Sequence, residues 1–100
     1  MKKFLVAIDQ GTTSSRAILF SLSGKPIYIS QKEFRQYFPN EGWVEHDAVE
    51  IWKDVKNLIK KILKKNKILP KNIISIGITN QRETTVLWNK TTGKPIYKAI

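Results

Sequence analysis

The residues best suited to chemistry stand together near the start of the chain, in the octapeptide DQGTTSSR from Asp9 to Arg16. Gly11 lets a backbone come close to another molecule, and Thr12, Thr13, Ser14 and Ser15 add hydroxyl donors beside successive amide N–H groups. Successive amides in a tight turn form an anion-binding concavity, to which Arg16 adds a fixed positive charge. Asp9, closing the apolar run before the turn, suits the oxygen ligand or water anchor that a phosphate-bound magnesium needs. The combination fits a phosphate; the alternative is a hydroxyl-rich hairpin whose Ser and Thr satisfy their own backbone. The pattern G-x-x-x-x-G-K-[ST] is absent, and the turn leads into a second strand-like run, which excludes a phosphate site on a helix dipole here.

A second polar block, TNQRET (79–84), follows an apolar strand at its carboxyl end, where open α/β sheets place ligands. Arg82 and Glu83 offer a donor fork and an acceptor side by side, a pair able to hydrogen-bond two neighbouring hydroxyls of a neutral polyol. The plainer reading of that pair is a surface ion pair. His46 is the single histidine and there is no cysteine, so a structural or capping role is expected for it rather than catalysis or metal binding.

The elements that must position these blocks are legible from periodicity. Residues 3–8 and 15–22 read as strands joined by the polar turn, SGK at 23–25 as a hairpin turn, and 26–34 as a third strand with one more apolar face, giving a meander. Residues 35–47 are irregular but carry Tyr37, Phe38 and Trp43, so this loop is expected to pack down. Asp47 caps the next helix with Glu50 as the reciprocal acid. Ala48, Ile51, Trp52, Val55, Leu58, Ile59, Ile62 and Leu63 form its apolar stripe, and Asn66 and Pro70 end it. The β-branched run NIISIGIT (72–79) predicts a central parallel strand covered on both sides, reached by a right-handed crossover. TTVLW (84–88), the turn NKTTGK and a short strand near Ile96 and Tyr97 follow, with Trp88 expected to pack on the sheet.

The chain has 100 residues, 41% hydrophobic and 26% charged, which fits one globular domain. Its last residues follow a fresh strand signal, so a fragment of a longer chain is expected. The absence of cysteine fits a cytoplasmic address, and no apolar run approaches a membrane span. A net charge of +10 ordinarily points to nucleic acid or an anionic membrane. Eight of the fifteen lysines, however, lie between Lys53 and Lys71 with no arginine among them, and Trp52 at the edge is the only aromatic. Without guanidinium forks or stacking platforms, that run reads as a solvated helix face, and neither nucleic acid nor membrane is expected as a partner.

Taken together, AIDQGTTSSRAILF, FPNEGWVEHDAVEIW and IGITNQRETTVLWNKTTGKPIYKAI resemble the N-terminal part of the FGGY carbohydrate kinases, in the family's order and from about Leu5 to Ile100. The resemblance is to the members that act on glycerol. It implies an α/β, ribonuclease H-like (actin-like ATPase) fold, with residues 1–100 forming the N-terminal part of the first kinase domain. It also implies ATP-dependent, magnesium-assisted transfer of phosphate to glycerol, giving sn-glycerol 3-phosphate. On this resemblance Gly11, Thr12, Thr13, Ser14 and Arg16 form the first phosphate loop and Asp9 is the magnesium-associated acid. Arg82 and Glu83, with Thr12 beside them, bind glycerol. The catalytic base, an aspartate in the family, matches nothing in this chain, so the 100 residues alone are expected to be inactive. A homo-oligomeric enzyme is implied. Another sugar kinase of the family, such as one for xylulose, and a non-catalytic basic binding module stay open as alternatives.

Overall fold

The structure, a computed structural model, describes residues 2–39, 41, 44–81 and 84–99. Strands β1 (Phe4–Gln10), β2 (Ser14–Ser21) and β3 (Pro26–Glu33) form the expected antiparallel meander. The turn after β2 is a hairpin in which Ser21 N donates to Lys25 O at 2.9 Å, and Gly24 adopts φ 89°, a conformation that favours glycine. Two-residue strands β4 (Gln36–Tyr37) and β5 (Glu45–His46) pair with each other, and helix α1 (Ala48–Asn66) follows. A 3-10 turn at Pro70–Asn72 leads into β6 (Ile73–Thr79), which runs parallel to β1. The sheet order is β3-β2-β1-β6.

Helix α1 starts where Asp47 Oδ1 accepts from Val49 N at 3.0 Å and Glu50 N at 3.2 Å, the cap expected from sequence. Glu50 does not complete a reciprocal box. Its carboxylate instead accepts from Arg35 N and from the Tyr37 hydroxyl, which ties the irregular segment to the helix. The helix ends at Lys67, whose left-handed backbone (φ 53°) lets its N–H reach the carbonyls of Leu63 and Lys64.

One face of the sheet and one stripe of the helix make the core: Val6, Ile8, Ala17 and Leu19 against Val55, Leu58 and Ile62, all buried. The spacing of Ile51, Val55, Leu58 and Ile62 is that of a single helical face. Trp52 falls one position outside it and is 57% exposed, with Lys56 Nζ 5.3 Å from its ring centroid, so its place in the core stripe is corrected. Asp54, the single acid of the lysine run, points inward instead and takes Lys32 Nζ at 3.0 Å.

Further expectations are revised. β6 is parallel as expected but, among the described strands, occupies the edge rather than the centre; α1 packs chiefly on β2 and β3, and of β6 Ile73 packs against the core. Ile74, Ile76 and Ile78 are exposed, so the expected cover on both sides is absent among the described residues. Residues 84–88 and the region of Ile96 and Tyr97 form no strands; they are arms of a hairpin held by a single bridge, Trp88 to Pro95. The bridge is made by Asn89 N to Lys94 O at 2.7 Å and Ile96 N to Leu87 O at 2.9 Å. Trp88 is exposed and shares a shallow groove with Trp52 rather than packing on the sheet, and Phe38 is exposed as well. Trp43 lies outside the described residues. No described helix is long and apolar enough to cross a membrane.

Candidate functional site

The two polar blocks meet. Because β1 and β6 are parallel neighbours with Asp9 opposite Thr79, the residues leaving both carboxyl ends line one cleft. Asp9, Gln10, Gly11 and Thr12 form one wall and Thr79, Asn80 and Gln81 the other, around about 440 Å³. Arg82 and Glu83, the expected polyol-binding pair, lie outside the described residues, directly after Gln81.

Residues 11–14 form a tight turn in which Gly11 N donates to Ser14 O at 3.0 Å. A Cβ on Gly11 would stand 3.2 Å from that same carbonyl, so a larger residue presses on the turn's own closing bond. The carbonyls of Thr12 and Thr13 accept from Gln36 Nε2 (3.0 Å) and Phe34 N (3.1 Å). A trans peptide points its N–H opposite to its C=O, so the amides of Thr13 and Ser14 face away from those partners. The hydroxyls of Thr12 and Thr13 are exposed, and Ser14 Oγ accepts from Gln31 Nε2 at 2.9 Å, keeping its own hydrogen to donate. Ser15 differs: it is fully buried and its hydroxyl donates to Gln10 Oε1, so it belongs to the hairpin and not to the accessible hydroxyls of the turn.

Arg16 and Asp9 are paired residues on adjacent strands, and Arg16 Nη2 lies 2.6 Å from Asp9 Oδ2. Thr79 Oγ1 donates to the other carboxylate oxygen at 3.0 Å. The Arg16 guanidinium first, and then the Thr79 hydroxyl, hold the Asp9 carboxyl below its usual range, so it is ionised at neutral pH. Each carboxylate oxygen has a second lone pair, which leaves Asp9 acceptor capacity for a hydrated cation. Among the described residues no group of three or more His, Cys, Asp or Glu could enclose a metal by themselves. One ionised carboxylate beside a turn with free amides and hydroxyls is what a magnesium ion held mostly by phosphates and water requires. The site residues therefore fit a magnesium nucleotide.

Sequence reasoning missed Thr79 and Gln81. The signal was partial: Thr79 closes the β-branched run and Gln81 stands two residues beyond it, where open α/β sheets place ligands, but which strand lies beside that run is set only by the fold. It missed the surroundings of His46 too. Its ring is buried, lies 5.1 Å from that of Phe34, and its Nδ1 is 3.2 Å from Gln81 Nε2. Burial pushes its pKa down, which keeps the ring neutral. Nearby, the Tyr97 hydroxyl is held protonated to higher pH by its hydrogen bond to the buried Glu45 carboxylate.

A four-stranded sheet with one parallel edge pair, and a tight polar turn at the end of its first strand, is an arrangement found in the actin-like ATPase fold. Gluconate kinase from Lactobacillus acidophilus superimposes with a TM-score of 0.89 at 20% identity, over 100% of this chain and 20% of its own. Residues 4–100 match the N-terminal domain of the FGGY family of carbohydrate kinases, and the chain belongs to that family. Among its relatives, glycerol kinase from Limosilactobacillus reuteri is 59% identical over 99% of this chain and 20% of its own length. The solved structure of Plasmodium falciparum glycerol kinase with ADP has a TM-score of 0.88 at 35% identity, covering 99% of this chain and 20% of that one. The chain thus spans about a fifth of the length of the relatives it matches.

Proposed function

We propose that residues 1–100 are the N-terminal part of the first domain of a cytoplasmic glycerol kinase, which transfers the terminal phosphate of ATP to glycerol. The observation that carries this reading is the single cleft shared by the Asp9–Thr12 and Thr79–Gln81 walls, set in a chain that is 59% identical to a glycerol kinase. The bound magnesium nucleotide supplies the phosphoryl group and neutralises charge on it. Gly11 gives the phosphates close backbone approach, and Thr12, Thr13 and Ser14 donate hydroxyls and amides to them. Asp9 anchors the hydrated cation, and Arg16 keeps that carboxylate ionised and oriented. Arg82 and Glu83, with Thr12 nearby, grip neighbouring glycerol hydroxyls and hold one of them toward the phosphate. Catalysis of this kind rests on positioning and charge neutralisation, with a general base to take the hydroxyl proton. We place that base outside residues 1–100, so these residues bind and orient without completing the reaction.

The substrate assignment is tested by Arg82→Ala in the complete enzyme. Charged hydrogen bonds contribute about 1.5–3 kcal/mol, so the glycerol KM should rise about 10- to 100-fold while the ATP KM stays close to its starting value. An unchanged glycerol KM together with an unchanged kcat/KM removes glycerol as the substrate.

A further inference from the structure

Three successive residues of the turn after β1 each accept a hydrogen bond from the stretch between Gln31 and Gln36. Thr12 O accepts from Gln36 Nε2 at 3.0 Å, Thr13 O from Phe34 N at 3.1 Å, and Ser14 Oγ from Gln31 Nε2 at 2.9 Å. All three partners donate. They occupy acceptors of the turn and leave its N–H and O–H groups to point elsewhere.

The stretch that supplies these bonds is itself fixed. Gln31 stands opposite Arg16 in the β2–β3 ladder, and Gln36 opposite His46 in the β4–β5 pair. Between them the chain alternates: Phe34 and Gln36 reach the turn, whereas Arg35 N and the Tyr37 hydroxyl donate to the Glu50 carboxylate at 3.4 and 3.3 Å. That is the two-sided habit of an extended chain, and it fastens the turn to the first turn of α1.

Peptide and hydroxyl geometry decide what the bonds do to the donors. The Thr12 carbonyl and the Thr13 N–H share one trans peptide, so drawing the carbonyl toward Gln36 turns that N–H the opposite way. The Ser14 hydroxyl has one hydrogen on a rotatable bond. With its β3 side taken by the Gln31 amide, the hydrogen turns away from β3, toward the side of β1, whose end lines the cleft.

We infer that Gln31 and Gln36 are positioning residues for the nucleotide: their side-chain amides, on the Ser14 hydroxyl and the Thr12 carbonyl, aim the O–H and N–H donors of the turn at phosphate. This rests on the reading of the turn as the phosphate site. Glutamines that only solvated the surface would leave nucleotide binding untouched when removed, because water satisfies the same acceptors.

The test titrates the complete enzyme with the magnesium complex of methylene-bridged ATP, which cannot transfer its terminal phosphate, and separately with adenosine. Gln31→Met and Gln36→Met keep side-chain length at surface positions and remove the donors. Each should weaken the ATP analogue about three- to tenfold, the range of one net hydrogen bond, while adenosine affinity and the glycerol KM hold within about twofold. Gln31 acts through the Ser14 hydroxyl alone, so in a Ser14→Ala background Gln31→Met should add nothing, whereas Gln36→Met should keep its effect. Gly11→Ala and Ser14→Ala, run in parallel, address the turn itself. If neither changes the affinity for the ATP analogue, the turn holds no phosphate, and that reading and this inference fall together. If they weaken it and either glutamine variant does not, the inference alone is overturned. It is overturned too if adenosine is lost as much as the analogue, or if Gln31→Met costs the same with and without the Ser14 hydroxyl; either result would mean a general loss of structure.

Discussion

Asp9 is held from two sides by residues far apart in the chain, Arg16 on β2 and Thr79 at the end of β6. Its lowered carboxyl pKa fixes the sign of a stability effect. A group whose folded pKa is depressed contributes stability above its unfolded value, about 4, and loses it as pH falls through the folded value. Comparing the chain with Asp9→Asn by denaturant melts should show a difference that is constant from about pH 5 to 8 and shrinks below about pH 4. The side chains are about 40% exposed, so that difference should not exceed about 1 kcal/mol. A difference that persists undiminished to about pH 2 would mean that the carboxylate is not the group responsible.

At the scale of elements, α1 is closed by an ideal residue at one end and a poor one at the other. Asp47→Ala removes a cap bonded to two amides and should cost about 1 kcal/mol. Lys67→Gly relieves a side chain from the left-handed region and should stabilise by about 0.5–1 kcal/mol; equilibrium unfolding of both variants checks the pair. The helix was readable in advance because Asp47 and the spacing of Ile51, Val55, Leu58 and Ile62 are local signals. The same holds for the meander, the SGK turn and the tight turn after β1. What local signals could not supply was partnership across the fold. Glu50 was taken by Tyr37 and Arg35 rather than by its own helix. Trp52 missed the stripe by one position, and the β-branched run of β6 encoded its apolar faces but not which neighbour would cover them. In the site, Asp9 and the turn were visible as a cluster, whereas Thr79, Gln81 and His46 acquire meaning only once β6 pairs with β1.

For the molecule as a whole, two features oppose each other. The edge strand β6 leaves Ile74, Ile76 and Ile78 exposed, the last at 69%, beside unpaired backbone groups that invite another strand. Against this stands a charge of +10, concentrated on the exposed lysines of α1, which keeps copies apart at low salt. Screening should therefore release association. Sedimentation velocity of the 100-residue chain should show monomer at about 0.02 M salt and growing oligomer at about 0.5 M, where the Debye length falls to a few ångströms. Ile76→Lys should suppress that growth; a chain that stays monomeric throughout would show that the edge is not adhesive.

The bond between Asp9 and Thr79 joins residues 70 positions apart. The three-strand meander needs only short-range closures, and α1 follows it directly in sequence. β6 must wait until the whole intervening stretch has been gathered, the largest entropic closure in the sheet. On a ribosome, then, the Asp9–Thr12 wall emerges early and stands half-built; what makes it a cleft arrives with the last strand to be paired.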